Sequence, residues 1–397
     1  MNRVCIRVLI ITVGLASQLW AGSLNPPAAP GATMKTMTEV EPRIAISADN
    51  TPGDPNNTYI ISQPGSYYLT GNFVSNFKHG ILVKADNVTL DLMGYQIKSS
   101  WYKAQSSQNT TFHGIKILDR CRNITIRNGT IFSDRFVNKG FYHGIAADAG
   151  TIIDSVRIIN VDIFGSRYDG IYLYDATEVL ADSCTVKNCV GNGMMIGKKS
   201  VVKNCNVSGN GNAASSNVFG IYIRSGSMVT ENTVCGNGVS ATCNRTSAIV
   251  AGEGCVIAGN TITDNGYLAA AEVHVISTYA GCKVADNIVR DNGASAGDTV
   301  IAIDAGDGCT ISGNTVTDNG KDGEYFVYGI NAGKGCTVTG NTVTDNGSSA
   351  ANTVWGMAIS SYSLINQNTF YRNGSGAPSA LSLYAAPGCV LGQNVAP

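Results

Sequence analysis

All four histidines of this chain, His79, His113, His143 and His274, stand two residues before an isoleucine, three of them as His-Gly-Ile. The same place is filled by Asp169 in Asp-Gly-Ile and by Asn192 in Asn-Gly-Met. Imidazole and carboxylate recurring at one position offer three kinds of chemistry: proton transfer near neutral pH, metal ligation, or a cationic ladder for a polyanion. The competing reading is structural, with each ring packing at a corner before a strand and donating to a neighbouring carbonyl. Strict strand alternation puts this position on the same side as the inward isoleucine, which favours packing unless the chain turns between them.

The positions just after the isoleucine carry a second group. Lys116, Tyr172 and Tyr222 follow it by one residue, and Tyr174 and Arg224 follow by three. Aromatic rings with interspersed charge suit a sugar polymer, whose apolar ring faces lie on aromatics and whose hydroxyls meet polar groups. Tyrosine also simply favours strands. If the chain turns over a substrate, Asp169 or His143 is the acid or base. Arg224 or Lys116 is then the charge partner, and Tyr172, Tyr174 and Tyr222 the stacking residues.

What must position these residues is a repeat. Cys255, Cys282, Cys309 and Cys336 are spaced by 27 residues, as are Asn260, Asn287, Asn314 and Asn341, and Asn265, Asn292, Asn319 and Asn346. A period of this length, made of short Val/Ile/Thr runs between Gly, Asn and Asp, holds three short strands and no helix. Each repeat is one coil of a parallel β-solenoid, in which like positions stack ~4.8 Å apart and asparagines bond along the ladder. One apolar position registers the coils: Ile81, Ile115, Ile145, Ile171, Met194, Ile221, Ile249, Ile276, Ile303, Ile330, Met357 and Leu383. The expectation is therefore an all-β fold, a single solenoid of about twelve coils. Its early coils carry insertions at residues 99–112 and 133–142, and insertions on one face of a solenoid often mark its binding face.

With these repeats the chain resembles the right-handed parallel β-helix proteins of the pectin-lyase-like superfamily, in particular their secreted bacterial members. The likeness covers residues 59–397 and implies a right-handed β-helix. Within that superfamily, Tyr168-Asp169-Gly170-Ile171 is similar to the first catalytic strand of polygalacturonases. The following coils depart from that pattern: Gly191-Asn192-Gly193 stands where paired aspartates belong, and Val218-Phe219-Gly220 where Gly-His-Gly belongs. Hydrolysis of that type needs the paired carboxylates. Pectate lyases use clustered acids, Ca²⁺ and an Arg or Lys base. Arg120, Arg122 and Arg127 with Asp119, followed by Asp148, Asp154, Arg157 and Asp162, match no lyase motif residue by residue, and read as solvated turns. The Asp-Pro-His motif of alginate epimerases is absent.

Composition narrows the partners. Lys and Arg number 27 against 28 Asp and Glu, so no basic excess exists to neutralise nucleic-acid phosphates or an anionic membrane. Arg3 and Arg7 precede an apolar run at residues 8–20 and the small residues Ala21, Gly22 and Ser23. That is the plan of a signal peptide over residues 1–21. A Pro- and Asn-rich leader follows at 22–58, with a short helix expected at 34–41 as a cap. No second apolar run of spanning length follows, so no membrane span is expected after signal removal, and the location is secreted, periplasmic or cell-surface.

Six of the twelve cysteines share one column with Ser and Thr, an exchange that points to small inward residues at a corner rather than to metal binding. Cys235 with Cys243, and after it Cys184 with Cys189, are the disulfide candidates. No metal site is assigned. Stacked Asp264, Asp291, Asp318 and Asp345 are either solvated or hold Ca²⁺, the one cofactor considered. The sequence thus reads as a secreted protein that meets an extracellular, uronate-rich polysaccharide, with lyase or hydrolase activity left open. The alternatives are a non-catalytic surface or spacer protein, and periplasmic copper handling through the histidine column.

Overall fold

The structure is a computed structural model; it describes residues 42–396 except 77, 100–110, 134–139, 213, 215, 240–243 and 270–271. The signal, the 34–41 helix, Cys243 of the expected Cys235–Cys243 pair and most of both insertions fall outside the described residues.

A repeat folds as its sequence dictates. Val300–Ala305, Thr310–Ser312 and Thr315–Thr317 are three strands separated by sharp corners. The next repeat lays Val327–Ala332, Thr337–Thr339 and Thr342–Thr344 parallel to them, pairing Ile303 with Ile330, Thr310 with Thr337 and Thr315 with Thr342. Corners fall where the backbone takes a left-handed turn, at Gly313 (φ 65°) and Asp318 (φ 55°), positions that Gly, Asn and Asp tolerate best. Three parallel sheets therefore climb the solenoid, and the middle residues of these three-residue strands, Ile311, Val316, Val338 and Val343, are fully buried in the shared core. Two longer strands, Arg122–Phe132 and Asp154–Phe164, bend across the second and third sheets and pair with strands of both. The ladder extends below Ile81, because Tyr59 pairs with Ile81 and Ile44–Ala45 pairs with Tyr67–Tyr68.

Two ladders rivet the corners. Asn287 donates both its backbone N–H and its Nδ2 to Oδ1 of Asn314 (both 3.0 Å), and Asn314 repeats the contact on Asn341 (3.0 and 2.9 Å). Each link satisfies groups that would otherwise be orphaned in the core. At the cysteine corner, Cys282 N–H donates to Cys309 Sγ at 3.3 Å and the Cys309 thiol donates to Tyr279 O at 3.3 Å. Ser363 Oγ accepts the Cys336 N–H in the same way at 3.0 Å, which is why serine and cysteine exchange here. The ten described cysteines are free thiols. Cys184 and Cys189 do not pair: Cys184 N–H meets Cys205 Sγ, Cys189 N–H meets Asn210 Oδ1, and the two occupy different corners.

The expected strict alternation fails in the first sheet. In Val218–Ile223, Val218, Gly220, Ile221 and Ile223 are buried, while Phe219 and Tyr222 are half-exposed. Two consecutive inward residues, Gly220 and Ile221, turn the histidine-type position outward, onto the same face as the residue after the isoleucine. The rings of Phe219 and Tyr222 confirm it, with centroids 5.4 Å apart. Glycine is needed at the turn because the next coil presses against it: a Cβ on Gly170 would stand 2.8 Å from Gly193 O, and one on Gly114 2.6 Å from Gly144 O.

Candidate functional site

The outward turn brings His79, His113 and His143 into a single stack. Ring centroids are 5.1 Å apart between His79 and His113 and 5.2 Å between His113 and His143, and Tyr172 continues the column 5.0 Å from His143. A second column runs beside it, Tyr142 on Tyr168 at 5.1 Å and 5°. His113, His143, Tyr142, Tyr168, Tyr172 and Asp148 line a cleft of about 320 Å³. Thr111 and Tyr142, at the C-terminal ends of the two insertions, are among its lining residues.

Backbone contacts set the state of the imidazoles. His79 Nδ1 accepts the His113 N–H (2.9 Å) and His143 Nδ1 accepts the Asp169 N–H (3.2 Å). An accepting Nδ1 carries no proton, so in these two neutral rings the proton lies on Nε2. Burial lowers His79 to about 4 and His143 to about 3, and holds His113 well below its ordinary value, with His143, His79 and Lys116 adding to the effect at His113. The column is therefore uncharged at neutral pH. It does not act as a cationic ladder.

Asp169 lies behind His143, 1% exposed, and is not part of the cleft lining. Its Oδ1 accepts Asn192 N–H and Nδ2, both at 2.8 Å, while Oδ2 is buried with no hydrogen bond. Burial pushes this carboxyl up to about 7 against the pull of the two Asn192 bonds. Lys116 is not part of the lining either, but it reaches the cleft's Asp148, its Nζ 2.8 Å from Oδ2. Among the described lining residues Asp148 is the one carboxylate.

Tyr174, Tyr222 and Arg224 gather in a neighbouring cleft of about 330 Å³ with Glu253 and Tyr279. Arg224 stacks over Tyr174 at 4.8 Å and pairs with Asp175 at 3.1 Å. Burial, followed by Tyr174, raises the Tyr222 phenol to about 12, so it stays a neutral donor. The face expected to be continuous is thus two clefts that meet at one strand, Ile171–Thr177, whose pairing shifts register after Leu173. Sequence reasoning gave Tyr142 and Tyr168 no binding role and read Asp148 as part of a solvated turn. The signal was present: Phe112, Tyr142 and Tyr168 each precede the histidine-type position by one residue.

The metal reading finds little support in this arrangement. Face-to-face rings point their nitrogens along parallel edges, and among the described residues no three His, Cys, Asp or Glu side chains gather to hold an ion. His274 stands apart from the stack, between Asp304 (2.8 Å) and Glu272 (3.2 Å). The aspartate ladder is likewise engaged piecemeal, Asp345 by Arg372 at 2.7 Å and Asp318 by Thr317 at 2.9 Å. Arg127 pairs with Asp91 and Arg157 with Asn123 on other sheets. No helix among the described residues is long and apolar enough to cross a membrane.

Comparison with known proteins agrees with the geometry. A family model described as right handed beta helix region matches residues 60–262 and 143–300. No curated protein matches the chain. Among solved structures, the A-module of mannuronan C-5 epimerase AlgE4 from Azotobacter vinelandii aligns at 16% identity, covering 83% of this chain and 91% of that one, with a TM-score of 0.55. The AlgE6 A-module from the same organism aligns at 16%, covering 84% and 91%, with a TM-score of 0.53. Likeness at this identity speaks for the fold alone, and with the family match over more than half of the sequence it settles that the chain belongs to the right-handed β-helix family.

Proposed function

We propose that this protein is exported and binds a uronate-bearing polysaccharide along its first sheet, in the cleft walled by His143 and Tyr172. The observation that carries the reading is the joining of stacked aromatic walls with a carboxylate, Asp148, that is paired to an ammonium, Lys116, beside the cleft. Sugar C–H groups pack against the Tyr142, Tyr168 and Tyr172 rings where these line the cleft. Lys116 offsets a sugar carboxylate, with Asp148 as the group it must leave or share. The adjoining Tyr174–Tyr222–Arg224 cleft receives the next part of the chain.

If turnover occurs, abstraction of the proton beside a sugar carboxylate, with the Asp148 carboxylate taking the proton and the C–H electron pair passing into the sugar carboxylate as an enolate, fits better than hydrolysis. A two-carboxylate hydrolysis has only Asp148 available at the described cleft surface. Asp169 then serves by holding His143 rather than by touching the sugar. The two Azotobacter vinelandii modules with this fold are named for C-5 epimerisation of mannuronan, which agrees with a uronate ligand. The test incubates the protein with mannuronan, pectate and a neutral glucan, with and without Ca²⁺, following reducing ends, unsaturated-uronate absorbance and the proton spectrum of the polymer. Unsaturated ends or inverted C-5 centres support proton abstraction, reducing ends alone support hydrolysis, and no change in any polymer leaves binding as the activity to be measured. N-terminal sequencing of protein recovered outside the cytoplasm tests export.

A further inference from the structure

We propose that Arg224 is the residue that selects an acidic sugar, its guanidinium taking the carboxylate of a unit lodged in the neighbouring cleft with Tyr174 and Tyr222. The assignment rests on the uronate reading and names the group that recognises the acid. The first cleft is poorly equipped for that: among its described lining residues none is Lys or Arg, and Lys116 beside it is already paired with Asp148. In the neighbouring cleft Arg224 is the one cation among the described lining residues. Tyr172 and Tyr222 both stand in register with Met195, so the two clefts are two coils, or ~10 Å, apart. The unit that is selected is therefore not the unit that lies against His143.

A bulge holds the guanidinium. On Ile171–Thr177, Leu173 pairs with Ile196 but Thr177 pairs with Lys198, so four steps along one strand oppose two along the next. Bulges of this kind re-aim side chains beside functional sites. The surplus, residues 174–176, rides over Gly197, where a Cβ would collide with Ala176 O. With no side chain in between, Tyr174 and Asp175 reach Arg224 from two coils away. Arg224 Nη1 donates to Asp175 Oδ1 at 3.1 Å, and its Cζ lies 4.8 Å from the Tyr174 ring centroid. Asp175 Oδ2 is itself fixed by the Gly150 N–H at 2.8 Å. Among the described residues Nη1 is the one Arg224 nitrogen with an acceptor, and the side chain is 31% exposed, which leaves the rest of the planar fork for a ligand. A guanidinium fixed in orientation loses little freedom on pairing, and a carboxylate fits its fork with two parallel hydrogen bonds. Glu253, the other charged lining residue, is exposed, and solvent screens it.

Calorimetric titration of the full chain with hexamannuronate and with mannohexaose, its neutral counterpart, tests the assignment. The parent should prefer the acid by roughly tenfold or more. Arg224→Ala leaves Asp175 and Glu253 as the charges at that cleft, and should lower hexamannuronate affinity by that factor while mannohexaose affinity stays unchanged. Arg224→Lys keeps the charge but not the fork, and should recover only a minor part of the loss. Unchanged hexamannuronate affinity in Arg224→Ala overturns the assignment, as does full recovery in Arg224→Lys or an equal loss for both sugars, which would mark a structural role. If the parent itself fails to bind hexamannuronate, the uronate reading falls and takes this assignment with it. If hexamannuronate binding responds to Tyr172→Ala plus Lys116→Ala but not to Arg224→Ala, this assignment alone falls.

Discussion

His143 Nδ1 accepts the backbone N–H of Asp169 at 3.2 Å while the Asp169 carboxyl Oδ2 stands 3.6 Å from the same nitrogen, too far for a hydrogen bond. With His143 lowered to about 3 and Asp169 raised to about 7, the two are a neutral pair across mildly acidic pH and not an ion pair. The relationship defines the candidate site: imidazole toward the cleft, protonated carboxyl behind it.

Stability should respond to Asp169 in a defined pH window. Its folded value of about 7 lies above the ordinary 3.8, so the folded state holds the proton more tightly. The stabilisation is complete below about pH 4 and is lost as pH rises to about 7, on the order of a few kcal/mol in all. Asp169→Asn keeps an acceptor for Asn192 and removes the titration. Thermal melts should show the variant gaining on the parent between pH 4 and pH 7 and holding a constant lead above it; parallel curves would contradict the assignment.

The histidines work in the opposite direction. Folded values near 4 for His79 and 3 for His143 lie below the ordinary 6.5, so their contribution is complete above about pH 6.5 and is lost as pH falls toward those values. Ring-proton NMR should show no titration of His79, His113 or His143 between pH 5.5 and pH 8 (roughly the span over which a free imidazole changes charge). A midpoint near 6.5 for any of the three would mean its ring is solvated.

The cysteine corner should accept a hydroxyl and refuse an alkyl group. Cys309 Sγ accepts the Cys282 N–H, a task Ser363 performs for Cys336. Cys309→Ser should cost about 1 kcal/mol or less, whereas Cys309→Val leaves that buried N–H unpaired and should cost about 1–3 kcal/mol. Urea unfolding distinguishes them, and equal losses would show that volume, not hydrogen bonding, selects this column.

The asparagine ladder should be less forgiving. Asn314→Ala removes the acceptor for both Asn287 donors and the donor to Asn341 Oδ1. A loss of about 2–5 kcal/mol is expected from several buried groups left unpaired at once. A near-neutral result in the same urea assay would mean that water enters the corner.

The fold was legible because the repeat is chemically strict: Asn287, Asn314 and Asn341 must meet at one corner, and so must Cys282, Cys309 and Cys336. The site was legible in part. Its columns could be read from spacing, and Lys116, His143 and Tyr172 do come together. Which way the histidine column faces could not be read, because alternation breaks at Gly220 and Ile221, where two inward residues follow one another. The separation of Tyr172 from Tyr174 and Tyr222 depends on the register shift after Leu173, a property of two coils packed together and not of either sequence alone. The depth of Asp169 was hidden for the same reason, since Asn192 of the next coil covers it.

The central claim is that the His143–Tyr172 cleft binds an acidic polysaccharide. Calorimetric titration of the full chain and of Tyr172→Ala plus Lys116→Ala with oligomannuronate at one ionic strength tests it most directly. The account predicts saturable binding by the parent and a weakening of roughly tenfold or more in the double variant, as expected for loss of an aromatic ring of the cleft wall and of the Lys116 ammonium beside it. Equal binding by both proteins would contradict it.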